Sequence, residues 1–115
     1  RLELVGLGGR RVMVDCSHGN SGGQLEGQVE ACRAVATQVA SGSSAVAGVM
    51  IEGFLEAGNQ PFEPGATRPS ELRPGLSITD ACLGFAETEA LLAELAAAVE
   101  ARRAAEAGWK AARAG

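Results

Sequence analysis

The 115-residue sequence has no concentration of positive charge. Its ten Lys and Arg residues are scattered or lie near the C-terminal end, and the fourteen Asp and Glu residues leave a formal net charge of -4. A general nucleic-acid or anionic-membrane binder needs a basic patch, so neither role fits. No apolar run approaches the roughly 18 residues of a membrane span. Arg1–Arg10 contains no apolar h-region and does not read as a signal peptide. The sequence also has no initiator Met. Leu2, Leu4, Val5 and Leu7 read as the end of a helix closed by Gly8-Gly9, so the chain is expected to be incomplete and to continue upstream. No CxxC pair occurs, and the three cysteines, Cys16, Cys32 and Cys82, are widely spaced. That excludes a zinc ribbon and points to reduced thiols in a cytoplasmic protein. Low hydrophobicity is not among the absences. At 46% hydrophobic and 21% charged, the composition is that of an ordinary globular chain.

What is present alternates between strand and helix. Arg11 to His18 (RVMVDCSH) is a short apolar run ending in polar residues, which predicts a buried strand that surfaces at its end. Gly19 to Gly23 supplies a turn in which glycines take positive φ. Leu25, Val29, Cys32, Val35, Ala36 and Val39 recur at threes and fours, predicting an amphipathic helix over Gln24 to Ser41. Ala45 to Glu52 (AVAGVMIE) is a second apolar run without alternation, as in strands covered on both faces. Gly53 to Ser77 is rich in Pro and Gly and predicts a long loop of the kind usually kept for function. Ser77 to Leu83 reads as a short extended piece. Glu87 to about Ala104 predicts a helix capped by Thr88, with a stripe of Leu91, Leu92, Leu95 and Val99. Arg102 and Arg103 would then complement its C-terminal dipole. Residues 105–115 either prolong that helix or fray.

Strand, helix, strand, loop, helix argues for an α/β fold with parallel strands. Two strands do not make a stable sheet alone, so the pattern reads as an incomplete piece of a larger one. Both strands end in a side chain able to bind a metal: His18 after the first and Glu52 at the second. Parallel barrels place active residues at these C-terminal strand ends. Asp80, beyond the long loop, has the chemistry to join them. One imidazole and two carboxylates suit a divalent first-row ion such as Mn²⁺, Fe²⁺, Co²⁺ or Zn²⁺, and three protein ligands with an open position fit a catalytic site. The plainer readings stay open on spacing alone: His18 as a hydrogen-bonded loop residue, Asp80 as a turn residue. Glu52 is harder to set aside, because a charge ending a buried strand needs a partner.

Three blocks carry a resemblance. VMVDCSHGNS (Val12 to Ser21), GVMIEGFLEAGNQ (Gly48 to Gln60) and SITDACLGF (Ser77 to Phe85) resemble, in order, successive blocks of the type I 3-deoxy-7-phosphoheptulonate synthases. The helix ETEALLAELAAAVEARR resembles that family's closing helix, and the likeness covers nearly all of Arg11 to Arg103. It implies the last two strand-helix units of a (β/α)₈ TIM-type barrel, with residues 1–115 as a C-terminal segment. It implies His18, Glu52 and Asp80 as metal ligands, with a fourth, a Cys on the first strand, outside this chain. It implies condensation of phosphoenolpyruvate with erythrose 4-phosphate, the entry to the shikimate route, and a homo-oligomer when full length. His18 and Asp80 are expected to act on the substrate as well.

Cys16 shares a strand face with His18 by alternation, yet inside the DCSH block it reads as a packing residue. Cys32 reads as core. Arg68 and Arg73 are the phosphate-binding candidates of the long loop, although no family block marks them and both are expected to face solvent. The stretch from Pro61 to Pro74 and Phe85, where Trp is frequent, depart from the family pattern. Two other readings remain: a truncated, non-catalytic fragment, and another metal-dependent enzyme on a parallel barrel.

Overall fold

A computed structural model describes residues 9–114. The helix end read in Leu2 to Leu7 lies outside the described residues. Two parallel strands, β1 (Val12–Asp15) and β2 (Val46–Met50), flank helix α1 (Leu25–Ala40), and a long helix, α2 (Phe85–Ala114), closes the chain. The ladder pairs Met13 with Gly48, Val14 with Val49 and Asp15 with Met50, and the Cys16 amide extends it by donating to the Met50 carbonyl at 3.0 Å. β1 is therefore shorter than the sequence predicted. The chain turns at Cys16 because Asp15 captures the amides that would otherwise continue the strand.

One face of the sheet is packed. Val14, Val46 and Val49 pack against Val35, Ala36, Val39 and Ala98 of the two helices. A second cluster joins Cys16, Cys32, Leu83 and Leu91, all within 1% of full burial. Burial pushes the Cys32 thiol up to about 11 and raises that of Cys16, so both are neutral packing groups, as expected. The other face is open: Met13 is 70% exposed. Coverage of both faces, expected from the apolar run of β2, is not met within the described residues.

Helix α2 corrects three expectations. It starts at Phe85, so Thr88 lies inside the first turn, where its hydroxyl donates to the Gly84 carbonyl at 2.9 Å. It continues to Ala114 through an Ala-rich run of high helix propensity. Arg102 therefore sits mid-helix, and its guanidinium donates to the Ser43 carbonyl just past the end of α1. Leu92 faces solvent, and Ala98 takes its place in the buried stripe beside Leu91.

The segment between β2 and α2 is held by backbone pairs. The Phe54 amide donates to the Leu83 carbonyl, Gly58 and Cys82 exchange two bonds, and the Gln60 amide donates to the Ser77 carbonyl. The Gln60 side chain adds a clamp: its Nε2 donates to the carbonyls of Arg73 and Leu76, and its Oε1 accepts from the Arg73 amide. These bonds return the chain after the loop to the end of β2, which sets where Asp80 lies.

Candidate metal centre

His18 stands three residues past β1, in a turn built by Asp15. The Asp15 carboxylate accepts from the Ser17 amide and hydroxyl at 2.9 and 2.8 Å and from the His18 amide at 3.3 Å, an Asx-type turn that reverses the chain. Its second oxygen lies 2.8 Å from His18 Nδ1. These donors, Ser17 first and His18 next, hold the Asp15 carboxyl down at about 2. Ser21 closes the turn, with its hydroxyl 2.5 Å from the Ser17 carbonyl and 2.9 Å from that of His18. Asn20 ties back to the Asp15 carbonyl.

The turn rests on the first turn of α1. Gly27 backs directly onto the Ser21 carbonyl: a Cβ there would sit 2.8 Å from the Ser21 carbonyl carbon and collide with its oxygen. One residue on, Gln28 is 2% exposed, and its Oε1 accepts from the Glu52 amide at 2.6 Å. The Glu52 carbonyl in turn accepts from the Leu83 amide at 2.8 Å. Glu52, two residues past β2, is thus held on both sides of its Cα. Near Asp80, the Asn59 side-chain amide donates to the Thr79 carbonyl at 2.8 Å.

The three candidate ligands converge. His18 Nε2 lies 3.4 Å from Glu52 Oε1 and 3.4 Å from Asp80 Oδ2, and the three donor atoms lie within 4.8 Å of one another. They share a cleft of about 490 Å³ with Ser17, Gln28 and Asn59, and among the described residues no Lys or Arg lines it. The Asp15 hydrogen bond raises the His18 pKa above its ordinary value, with Glu52 and Asp80 adding to it. Arg68 turns away to Glu71 at 2.7 Å, and Arg73 is exposed and lines no part of the cleft. Cys16 is fully buried and does not reach the cluster.

The donor set fits a small dication. At 3.4 Å the contacts from Nε2 are long for hydrogen bonds. Two donors each about 2.1 Å from one ion, at a near-tetrahedral angle, stand about 3.4 Å apart. With Asp15 on Nδ1, the Nε2 lone pair is aimed at the carboxylates, the carboxylate–histidine arrangement of metal sites. Three carboxylates surround one imidazole without a basic side chain in the cleft, so the cluster has charge for a cation to neutralise.

Sequence reasoning missed two residues here. Asp15 carried a usable signal, a carboxylate at a strand end two residues before a Ser and three before a His. Gln28 carried one too, as a polar residue in the apolar stripe between Leu25 and Cys32.

The sequence matches the DAHP synthetase I family over residues 4–93. It is 48% identical over 102 residues to the Phe-sensitive phospho-2-dehydro-3-deoxyheptonate aldolase of Escherichia coli K12, covering 89% of this chain and 28% of that protein. It is 50% identical over 98 residues to the phospho-2-dehydro-3-deoxyheptonate aldolase of Corynebacterium glutamicum, covering 83% of this chain and 27% of the relative. The solved phospho-2-dehydro-3-deoxyheptonate aldolase of Francisella tularensis SCHU S4 superposes with a TM-score of 0.70 at 41% identity, over 80% of this chain and 25% of that one. The chain spans about a quarter of the length of the relatives it matches. With most of its residues inside that match, the chain belongs to the DAHP synthetase I family.

Proposed function

We propose that this chain is the C-terminal segment of a metal-dependent 3-deoxy-7-phosphoheptulonate synthase. The full protein would condense phosphoenolpyruvate with erythrose 4-phosphate in the cytoplasm, as a homo-oligomer. The observation that carries this reading is the meeting of His18, Glu52 and Asp80 in one cleft, in a chain of this family. The open face of the sheet supports a (β/α)₈ barrel. Met13 is exposed opposite the helix-covered face, where an interior-facing barrel residue would lie. His18 and Glu52 leave the C-terminal ends of adjacent parallel strands, where barrel enzymes place their chemistry.

His18, Glu52 and Asp80 would hold the divalent ion, Mn²⁺, Fe²⁺, Co²⁺ or Zn²⁺, with further ligands from outside this segment. Such an ion supplies Lewis-acid polarisation of the aldehyde oxygen. Asp15 fixes the ring of His18 so that Nε2 serves as the ligand atom. With Nδ1 taken by Asp15, His18 has no second nitrogen for proton transfer, and that task falls to Asp80. Asp80 is the most exposed of the three, its side chain 69% accessible. Among the described residues no Arg or Lys lines the cleft, so contacts to the substrate phosphates would come from other strands and the segment by itself would have no turnover.

In the full-length polypeptide, Glu52→Ala is expected to lose bound metal and activity together. Activity is read as inorganic phosphate release that requires both sugar phosphate and enolpyruvate phosphate. Full turnover by metal-stripped protein, or phosphate release from one substrate alone, would refute the proposal.

A further inference from the structure

Gln28 stands apart from every other residue of the α1 stripe. It is polar, 2% exposed and flanked by Leu25 and Cys32, positions that packing fills with apolar side chains. Its side-chain oxygen crosses from helix to strand end and accepts the Glu52 amide at 2.6 Å. That amide lies beyond β2, which ends at Met50, and so has no ladder partner. The N–H donor also fixes the amide orientation of Gln28, since only the oxygen can face it. Its Nε2 makes no hydrogen bond to protein among the described residues, and the residue lines the cleft. With the Leu83 amide on the Glu52 carbonyl, the two peptide groups at Glu52 are pinned, and with them the Cα from which the carboxylate extends.

We infer that Gln28 is a positioning residue of the metal centre, which holds Glu52 at ligating distance from His18 and Asp80. The inference rests on the metal-site reading of the three donors. Gln28 touches neither ion nor substrate in this role. It acts through the Glu52 backbone, and its loss lets Glu52 swing while the three donors stay chemically intact. Removal of such outer partners lowers metal affinity about 10–100-fold.

The test uses the full-length polypeptide and Co²⁺, titrated with the ligand-field spectrum recorded. Gln28→Met keeps the length and removes the acceptor. It is expected to raise the Co²⁺ dissociation constant at least tenfold and to alter the spectrum. Val39→Ala, on the same helix and 5% exposed, is the stability control and is expected to leave both at wild-type values even where its urea midpoint falls as far. A Gln28→Met protein that is destabilised yet binds Co²⁺ with wild-type affinity and spectrum overturns the inference. His18→Ala separates the two levels. Loss of binding in His18→Ala with none in Gln28→Met removes only the role of Gln28, whereas unchanged binding in His18→Ala removes the metal site and this inference with it. Should Gln28→Met not fold, Gln28→Glu retains an acceptor for the Glu52 amide. A wild-type spectrum is then expected, and an altered one counts against the inference.

Discussion

Gly27→Ala sets two effects of opposite sign against each other. Inside a helix, Ala is favoured over Gly by about 1 kcal/mol, so propensity alone makes the variant more stable. The structure opposes this. The new Cβ would stand 2.8 and 2.9 Å from the carbonyl carbon and Cα of Ser21 and would overlap its oxygen. Carbon atoms settle at about 3.5–4.0 Å, so helix and turn must part by the better part of an ångström. Neighbours that are backbone cannot rotate away, and overpacking of this kind costs about 1–3 kcal/mol. Because the contact is with main chain, the upper part of that range applies, and the net loss is about 1–2 kcal/mol after the propensity gain. The movement does not stop at Ser21, whose hydroxyl is bonded to the carbonyls of Ser17 and His18. The His18 ring is therefore displaced as well. Urea unfolding is expected to show a lower midpoint at unchanged m-value, and Mn²⁺ titration a weaker site. A raised midpoint with unchanged metal affinity would mean that propensity wins and that the Ser21 contact is not a constraint.

Leu91→Ala and Leu92→Ala separate the observed stripe of α2 from the one expected from sequence. Leu91 is 1% exposed against Cys16, Cys32 and Leu83, so its truncation is expected to cost about 2–5 kcal/mol in denaturant unfolding. Leu92 is 54% exposed, and its truncation should stay within about 0.5 kcal/mol; equal losses would place the helix in the wrong rotation. pH acts through His18, whose folded pKa is raised above 6.5, chiefly by Asp15. A raised value contributes stability that is fully present below 6.5 and lost as pH rises through the folded pKa. The metal-free protein should therefore lose stability on going up through that window, while Mn²⁺ affinity rises over the same window because proton and ion compete for Nε2. Affinity that is flat between pH 6 and about pH 8 would remove His18 from the ligand set.

The elements that could be read from sequence are those whose signal is local. VMVD and VAGVM are apolar runs rich in Val, and the α1 stripe repeats at threes and fours, so both strands and the helix fall within the segments read for them, although β1 stops at Asp15. The errors share a different origin. The true start of α2 at Phe85 depends on where the returning loop releases the chain, not on the Thr88 hydroxyl, so a cap rule chose the wrong residue. Leu92 reads as part of the apolar stripe with Leu91, Leu95 and Val99, while the helix rotation that gives the place to Ala98 is set by α1 across the contact. Asp80 is the extreme case. Its place depends on Gly53, Gly58 and Asn59 pairing with Leu83, Cys82 and Ser77, bonds spanning up to thirty residues, and no local pattern encodes them. Only the family blocks tied Asp80 to the other two.

The same division explains how the candidate centre is supported. Two of its three donors depend on one turn of α1: Gly27 bears on the turn that carries His18, and Gln28 holds the amide of Glu52. Adjacent helix positions point about 100° apart, so one helix rotation sets both contacts. A shift of α1 moves His18 and Glu52 together, and changes at Gly27 and Gln28 must couple, as changes to groups sharing one rigid element do. Asp80 has no contact of this kind. It is held through Asn59 on the Thr79 carbonyl and through the backbone pairs of the loop, and it is the most exposed donor. The candidate centre is thus a pair of donors that share one helix turn, plus a third donor on a separately anchored segment.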